Sequence, residues 1–157
     1  MSNVQKKISH YNLETLASSL RLESIDVLET QRVDLESHWY RSEGPAELFF
    51  WVAKDRMIKH QLNLFGQVVE WNEYDGVKTG YINEERMGHT FDIKSMIEFD
   101  KTPEAEVTNM ACEFIRKVHI LNADTKSQIV GDYQSYFRWN RSKILRFIHK
   151  ILFPGKK

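Results

Sequence analysis

The sequence predicts an α+β fold: an antiparallel meander sheet of about five strands, helices packed on one face, and an amphipathic C-terminal helix. Three observations carry this. Residues 47–83 divide into short alternating segments punctuated by turn residues. Residues 107–121 place apolar side chains at helical spacing. Residues 138–153 repeat that spacing with basic residues on the opposite side.

Residues 1–11 are polar and read as a frayed end. Asn12 is placed to cap a helix whose face is Leu13, Leu16, Ala17 and Leu20. Ile25, Val27 and Leu28 prolong the pattern, so 13–30 reads as helical with a break near 22–24. From Val33 the period becomes two. Val33, Leu35, Ser37 and Trp39 alternate with Asp34, Glu36, His38 and Tyr40, which reads as a strand. Ser42-Glu43-Gly44-Pro45 is a turn into the meander.

Residues 47–53 are apolar on both faces, the pattern of a central or doubly covered strand. In 57–65, Ile58, His60, Leu62 and Leu64 point one way and Lys59, Gln61, Asn63 and Phe65 the other. A three-residue loop at Lys54-Asp55-Arg56 aligns Leu48, Phe50 and Val52 with Leu62, His60 and Ile58, and sets Phe49 and Trp51 beside Gln61 and Lys59. A two-residue loop reverses the faces, and Lys-Asp lacks the glycine usual in primed turns, so both remain open. After Gly66 the apolar parity flips. A tight turn at Phe65-Gly66 explains this, pairing Leu62 with Val69 and His60 with Trp71; the alternative is a bulge. Asp75-Gly76 signals a two-residue type I′ hairpin, in which both central residues need positive φ. It pairs Glu73 with Lys78, Trp71 with Gly80, Glu70 with Tyr81 and Val69 with Ile82.

Residues 84–100 are the least readable: 90–94 fits a short strand, and 95–99 a strand or one helical turn. Thr102-Pro103-Glu104 reads as a helix start, with Thr as cap and Pro at the first position. Its face is Val107, Met110, Ala111, Phe114, Ile115, Val118 and Leu121, and 122–124 ends it. Thr125 then caps a helix with Ile129, Val130, Tyr133 and Phe137 inward, weakened at Gly131. In the C-terminal segment, Ile144, Leu145, Phe147, Ile148, Ile151 and Leu152 form one face and Lys143, Arg146 and Lys150 the other; Pro154-Gly155 stops it.

The 157 residues suit a single domain spanning 1–157, with 1–11 frayed and 138–157 a basic amphipathic end. A single cysteine, Cys112, excludes an internal disulfide and a cysteine metal cluster. No run approaches the roughly 18 apolar residues of a spanning helix, and the first residues lack a signal peptide's apolar core. The expected location is cytoplasmic, with a peripheral membrane association as an addition. Net charge is zero but polarised. Residues 1–100 hold 11 Lys and Arg against 17 Asp and Glu; residues 101–157 hold 11 against 5. This points to a polyanion, an anionic membrane surface or an acidic partner, or to a basic half folding back on an acidic one.

No catalytic motif is present. The six histidines form no HExxH or metal-spaced cluster, no GxSxG occurs, and the glycines make no phosphate loop. No catalytic residue, metal or cofactor is therefore assigned. His60 lies on an apolar strand face beside a tryptophan, where a satisfied core histidine is the commoner outcome. The candidate ligand or partner face is the sheet's second face, with Phe49, Trp51, Lys59, Gln61, Glu70, Asn72 and Tyr81, and with Thr79 beside them. The candidate membrane or polyanion residues are Arg138, Trp139, Arg141, Lys143, Arg146, Phe147 and Lys150. The leading expectation is a non-catalytic regulatory or interaction module. It would bind a protein or small ligand on the sheet face and touch a membrane surface or partner with its basic end. One alternative is a nucleic-acid-binding module using that end, against which stand the acidic meander and the missing RNP pattern. The other is a small enzyme centred on His60 with Glu70 or Tyr81. Oligomeric state is not legible.

Overall fold

The computed structural model describes residues 12–25, 34–83 and 97–152, with side chains placed for 12–23, 34–83 and 97–139. The expected frayed end, the short strand at 90–94 and the Pro154-Gly155 stop lie outside the described residues. Seven strands form one open antiparallel sheet in sequence order: β1 Arg21–Ile25, β2 Leu35–Arg41, β3 Ala46–Ala53, β4 Arg56–Leu64, β5 Gln67–Asn72, β6 Gly76–Ile82 and β7 Ile97–Phe99. Among the described residues three helices accompany them: α1 Leu13–Ser18, α2 Ala105–Lys117 and α3 Ala123–Leu152.

The sheet has two strands more than expected. β1 replaces the expected 13–30 helix over residues 21–25, and residues 26–30 lie outside the described ones. Asn12 caps α1 as expected, its Oδ1 accepting from the Glu14 N–H at 2.8 Å, but the helix ends at Ser18. Leu16, Ala17 and Leu20 already bury its short apolar face. The chain beyond gains a full ladder against β2, with Arg21 opposite Arg41 and Ile25 opposite His38. β7 resolves the ambiguity at 95–99 as a strand from Ile97.

The two upstream hairpins follow the sequence closely. Phe65 and Gly66 both take positive φ, 54° and 80°, as a two-residue primed turn requires. Leu62 therefore pairs with Val69 and His60 with Trp71. Lys54 and Asp55 also take positive φ, 49° and 60°, so the β3–β4 loop has two residues despite lacking glycine. Beyond an irregularity between Trp51 and Val52 the other alignment holds, with Phe50 facing His60 and Trp51 facing Lys59, while Val52 pairs with Met57 and not with the expected Ile58. One extra residue changes the parity that the turn had set.

The β5–β6 hairpin differs from expectation. Asn72 pairs with Gly76, Glu70 with Lys78 and Val69 with Thr79, a register three residues away from the one Asp75-Gly76 implies. Asn72 is the cause. Its Oδ1 accepts from the backbone N–H groups of Tyr74 at 3.1 Å and Asp75 at 2.8 Å, which starts the turn at Asn72. Only Gly76 then needs positive φ, at 73°. Three is an odd number, so every β6 side chain changes face.

That change puts Thr79 under the helices, where it joins three elements. Its hydroxyl donates to Asp100 Oδ2 and accepts from the Glu104 N–H at 2.9 Å. α2 thus begins after Glu104, and Thr102 and Pro103 precede the helix instead of starting it. The apolar face of α2 is as expected over Ala111, Phe114 and Ile115, whereas Val118 and Leu121 are buried beyond the helix end. The helix stops at Lys117, where Val118 turns extended. Asn122 caps α3, its Oδ1 accepting from the Thr125 N–H at 2.8 Å. α3 runs unbroken through Gly131 to Leu152, joining two segments that the sequence reading separates.

The core lies between one sheet face and the helices. Leu48, Phe50, Leu62, Leu64, Val69 and Val77 meet Leu16, Leu20, Phe114, Ile115, Ile129 and Tyr133.

Candidate functional site

The opposite sheet face carries two rows of side chains. The first is aromatic. Trp39 of β2 and Phe49 of β3 are cross-strand partners. Their ring centroids are 6.1 Å apart and the planes within 2° of parallel. Trp51 continues the row, 6.0 Å from Phe49. The second row is polar and crosses β4, β5 and β6. Lys59 Nζ lies 2.7 Å from Glu70 Oε2 and 5.0 Å from the centre of the Trp51 ring. Asn72 Nδ2 donates to Glu70 Oε1 at 3.3 Å and to Asp75 Oδ2 at 3.4 Å. Lys78 Nζ pairs with Asp75 Oδ2 at 2.7 Å and lies 5.7 Å from the Phe99 ring centre. Towards the other end, Gln61 Nε2 donates to Asn63 Oδ1 at 2.9 Å, and Asn63 Nδ2 to Glu47 Oε2 at 3.4 Å.

Each lysine is held between a carboxylate and an aromatic ring, so the face is balanced in charge while keeping ammonium donors near apolar walls. Glu70 has a side chain only 9% exposed and Lys59 one 25% exposed, which makes their pair a partly desolvated one. Beside it lies a depression of about 450 Å³ lined by Ile58, Lys59, Gln61, Glu70, Asn72, Tyr74, Asp75, Ile97 and Phe99. Polar Lys59, Gln61, Glu70, Asn72 and Asp75 line it together with apolar Ile58, Ile97 and Phe99 and the exposed Tyr74.

Six of the seven expected face residues come together here: Phe49, Trp51, Lys59, Gln61, Glu70 and Asn72. Tyr81 does not. The hairpin register places it on the helix side, opposite Gln67, where its hydroxyl donates to Glu98 Oε2. Thr79 is likewise lost to the face. Trp39, Ile97 and Phe99 were missed. The alternation of Ser37 and Trp39 hints at Trp39, but the irregular turn at 42–45 hides which strand face it shares with Phe49. Nothing local marks Ile97 or Phe99.

His60 belongs to the other face and is wholly buried. Its ring stacks on Trp71, centroids 5.2 Å apart, and meets the edge of Tyr133 at 4.8 Å. Nε2 lies 3.1 Å from Asp132 Oδ2 on α3. Burial holds its pKa below the ordinary histidine value, against the raising influence of Asp132 and Glu70. Glu70 lies across the sheet and Tyr81 pairs elsewhere, so the three residues form no joint site.

Of the residues expected at the basic end, Arg138 and Trp139 are described. Arg138 Nη2 donates to the Gly131 carbonyl at 2.7 Å, and Trp139 is exposed. Arg141, Lys143, Arg146, Phe147 and Lys150 lie on the helical backbone of α3, with side chains outside the described set. No helix among the described residues is long and apolar enough to cross a membrane, and no metal-ligating cluster occurs among them. No protein-family model, curated protein or solved structure matches the chain.

Proposed function

We propose that the protein is a non-catalytic interaction module whose second sheet face, which no helix covers among the described residues, binds a small ligand or a protein partner. The observation that carries this is the convergence of Phe49, Trp51, Lys59, Gln61, Glu70 and Asn72 beside a depression of about 450 Å³. Polar groups around large aromatics, with an apolar flank, are the usual makeup of a recognition site. A ligand with an apolar body and a polar head would lay the body on Phe99 and Ile97 and the head near Lys59. The probe is 1-anilinonaphthalene-8-sulfonate, which has both parts. Wild type is expected to bind it saturably with a fluorescence rise. Phe99→Ser, at a half-exposed site, is expected to weaken binding about tenfold, the loss of roughly 1.4 kcal/mol of apolar contact. Equal binding by wild type and variant removes the depression from this reading.

The basic end of α3 supports a second contact, with an anionic membrane surface or an acidic partner. Residues 138–157 hold seven Lys and Arg and no acid, and each basic residue near an anionic leaflet adds about 1 kcal/mol. The test is co-sedimentation with phosphatidylserine-containing vesicles, comparing the full chain with one ending at Phe137. Binding by the full chain alone supports the contact. Binding by neither, with the shortened chain unfolded by circular dichroism, makes this segment part of the core instead.

A further inference from the structure

Among the described residues, His60 is a titratable side chain buried at the seam between the sheet and α3 with one ring nitrogen unpartnered. Its Nε2 faces Asp132 Oδ2 at 3.1 Å. Its Nδ1 is buried with no partner among the described residues. A neutral ring satisfies this arrangement in one way: the proton sits on Nε2 and is donated to the carboxylate, leaving a bare nitrogen inside. A charged ring does not. Its second proton, on Nδ1, points at no acceptor, and the ring is 0% exposed.

We propose that His60 and Asp132 form a proton-sensitive latch that holds the first half of α3 on the sheet and releases it on acidification. The contacts around the ring explain why release is directed at α3. Trp71 and Phe50, on β5 and β3, flank His60 within the sheet and cannot withdraw without breaking two ladders. Asp132 and Tyr133 come from α3, which touches this spot by side chains alone: the Asp132 carboxylate, the Tyr133 ring edge, and the Tyr133 hydroxyl donating to the Val69 carbonyl at 3.2 Å. Withdrawal of α3 uncovers the ring while leaving the strand ladders intact. The charged and titratable groups that act on the ring are Asp132 and Tyr133 from α3, Glu70 from the far face of β5 and, behind Tyr133, Cys112 from α2. Asp132 and Glu70 favour the charged ring, while burial opposes it and prevails.

The sign follows from proton linkage. A histidine whose pKa is depressed in the docked state stabilises that state above its released pKa, and loses this as pH falls. Between the two pKa values, each unit of acidification favours release up to about tenfold.

Amide exchange of α3 and of β3–β5, corrected for intrinsic pH chemistry, is to be followed from neutral pH to below the ordinary histidine range. Protection of residues 123–139 should fall several-fold to tenfold per pH unit while β3–β5 stay protected. In His60→Gln, whose amide can still donate to Asp132 but does not titrate, that fall should be absent. A pH-independent α3, or the same fall in His60→Gln, overturns the latch. If His60→Gln does not fold, nitrogen NMR of the wild-type imidazole decides. A neutral Nε2–H ring whose titration coincides with shifts of the α3 amides supports the latch. A ring already charged at neutral pH, or one titrating without α3, overturns it.

Discussion

Gly80→Ala is expected to destabilise the protein by about 3 kcal/mol, the cost of forcing a methyl group into closely packed surroundings. A Cβ at Gly80 would lie 2.3 Å from the Glu98 carbonyl oxygen and 3.0 Å from Phe99 Cα. Both contacts are backbone, so neither can rotate away. β7 would have to leave β6, taking Ile97 and Phe99 off the flank of the depression. Urea unfolding should show a lower midpoint, and dye binding at the face should weaken with it. Gly66→Ala and Gly76→Ala are the controls. Neither position has a neighbour within 4 Å, but both hold positive φ. Each should cost about 1 kcal/mol from backbone conformation alone. A Gly80→Ala no worse than these would mean that β7 does not pack tightly on β6.

Tyr133→Ala is expected to cost about 4 kcal/mol, within the range for deleting a large buried aromatic. Tyr133 is 0% exposed and is the largest fully buried side chain among the described residues. Its ring meets His60, and its hydroxyl donates to the Val69 carbonyl. Tyr133→Phe keeps the ring and loses only that bond, at about 1 kcal/mol. Thermal unfolding of the two variants separates packing from hydrogen bonding. The pair also bears on the vesicle experiment. Ile129, Val130, Tyr133 and Tyr136 are the α3 side chains that meet the core among those described. A chain ending at Phe137 keeps all four, so it should stay folded while losing the basic end. A Tyr133→Ala protein as stable as wild type would remove α3 from the core and undo both expectations.

The sequence alone determined the fold class and most of the central sheet. Strict alternation in 57–65 and the parity flip after Gly66 were enough to place His60 opposite Trp71, because a strand's side chains have a period of exactly two residues. The apolar face of α2 was equally plain over Val107, Met110, Ala111, Phe114 and Ile115, although Val118 and Leu121 fall beyond the helix end. For the same reasons Lys59, Gln61, Glu70 and Asn72 could be assigned to one face from the sequence, while the open β3–β4 loop left the face of Phe49 and Trp51 undecided.

Tertiary structure decided what depends on competition between local signals and distant partners. Asp75-Gly76 is a good turn signal, but Asn72 caps the chain three residues earlier, and that reversed β6 and removed Tyr81 and Thr79 from the face. Arg21–Ile25 fits a helix locally; a ladder with β2, distant in sequence, made it a strand. Lys54-Asp55 accepted a strained turn because the paired strands on either side held it there, and a bulge then restored the face. The unpartnered nitrogen of His60 exists only because α3, 72 residues away, covers it. Periodicity records which side chains prefer to be buried. It does not record which element arrives to bury them, and that choice set both the makeup of the binding face and the latch behind it.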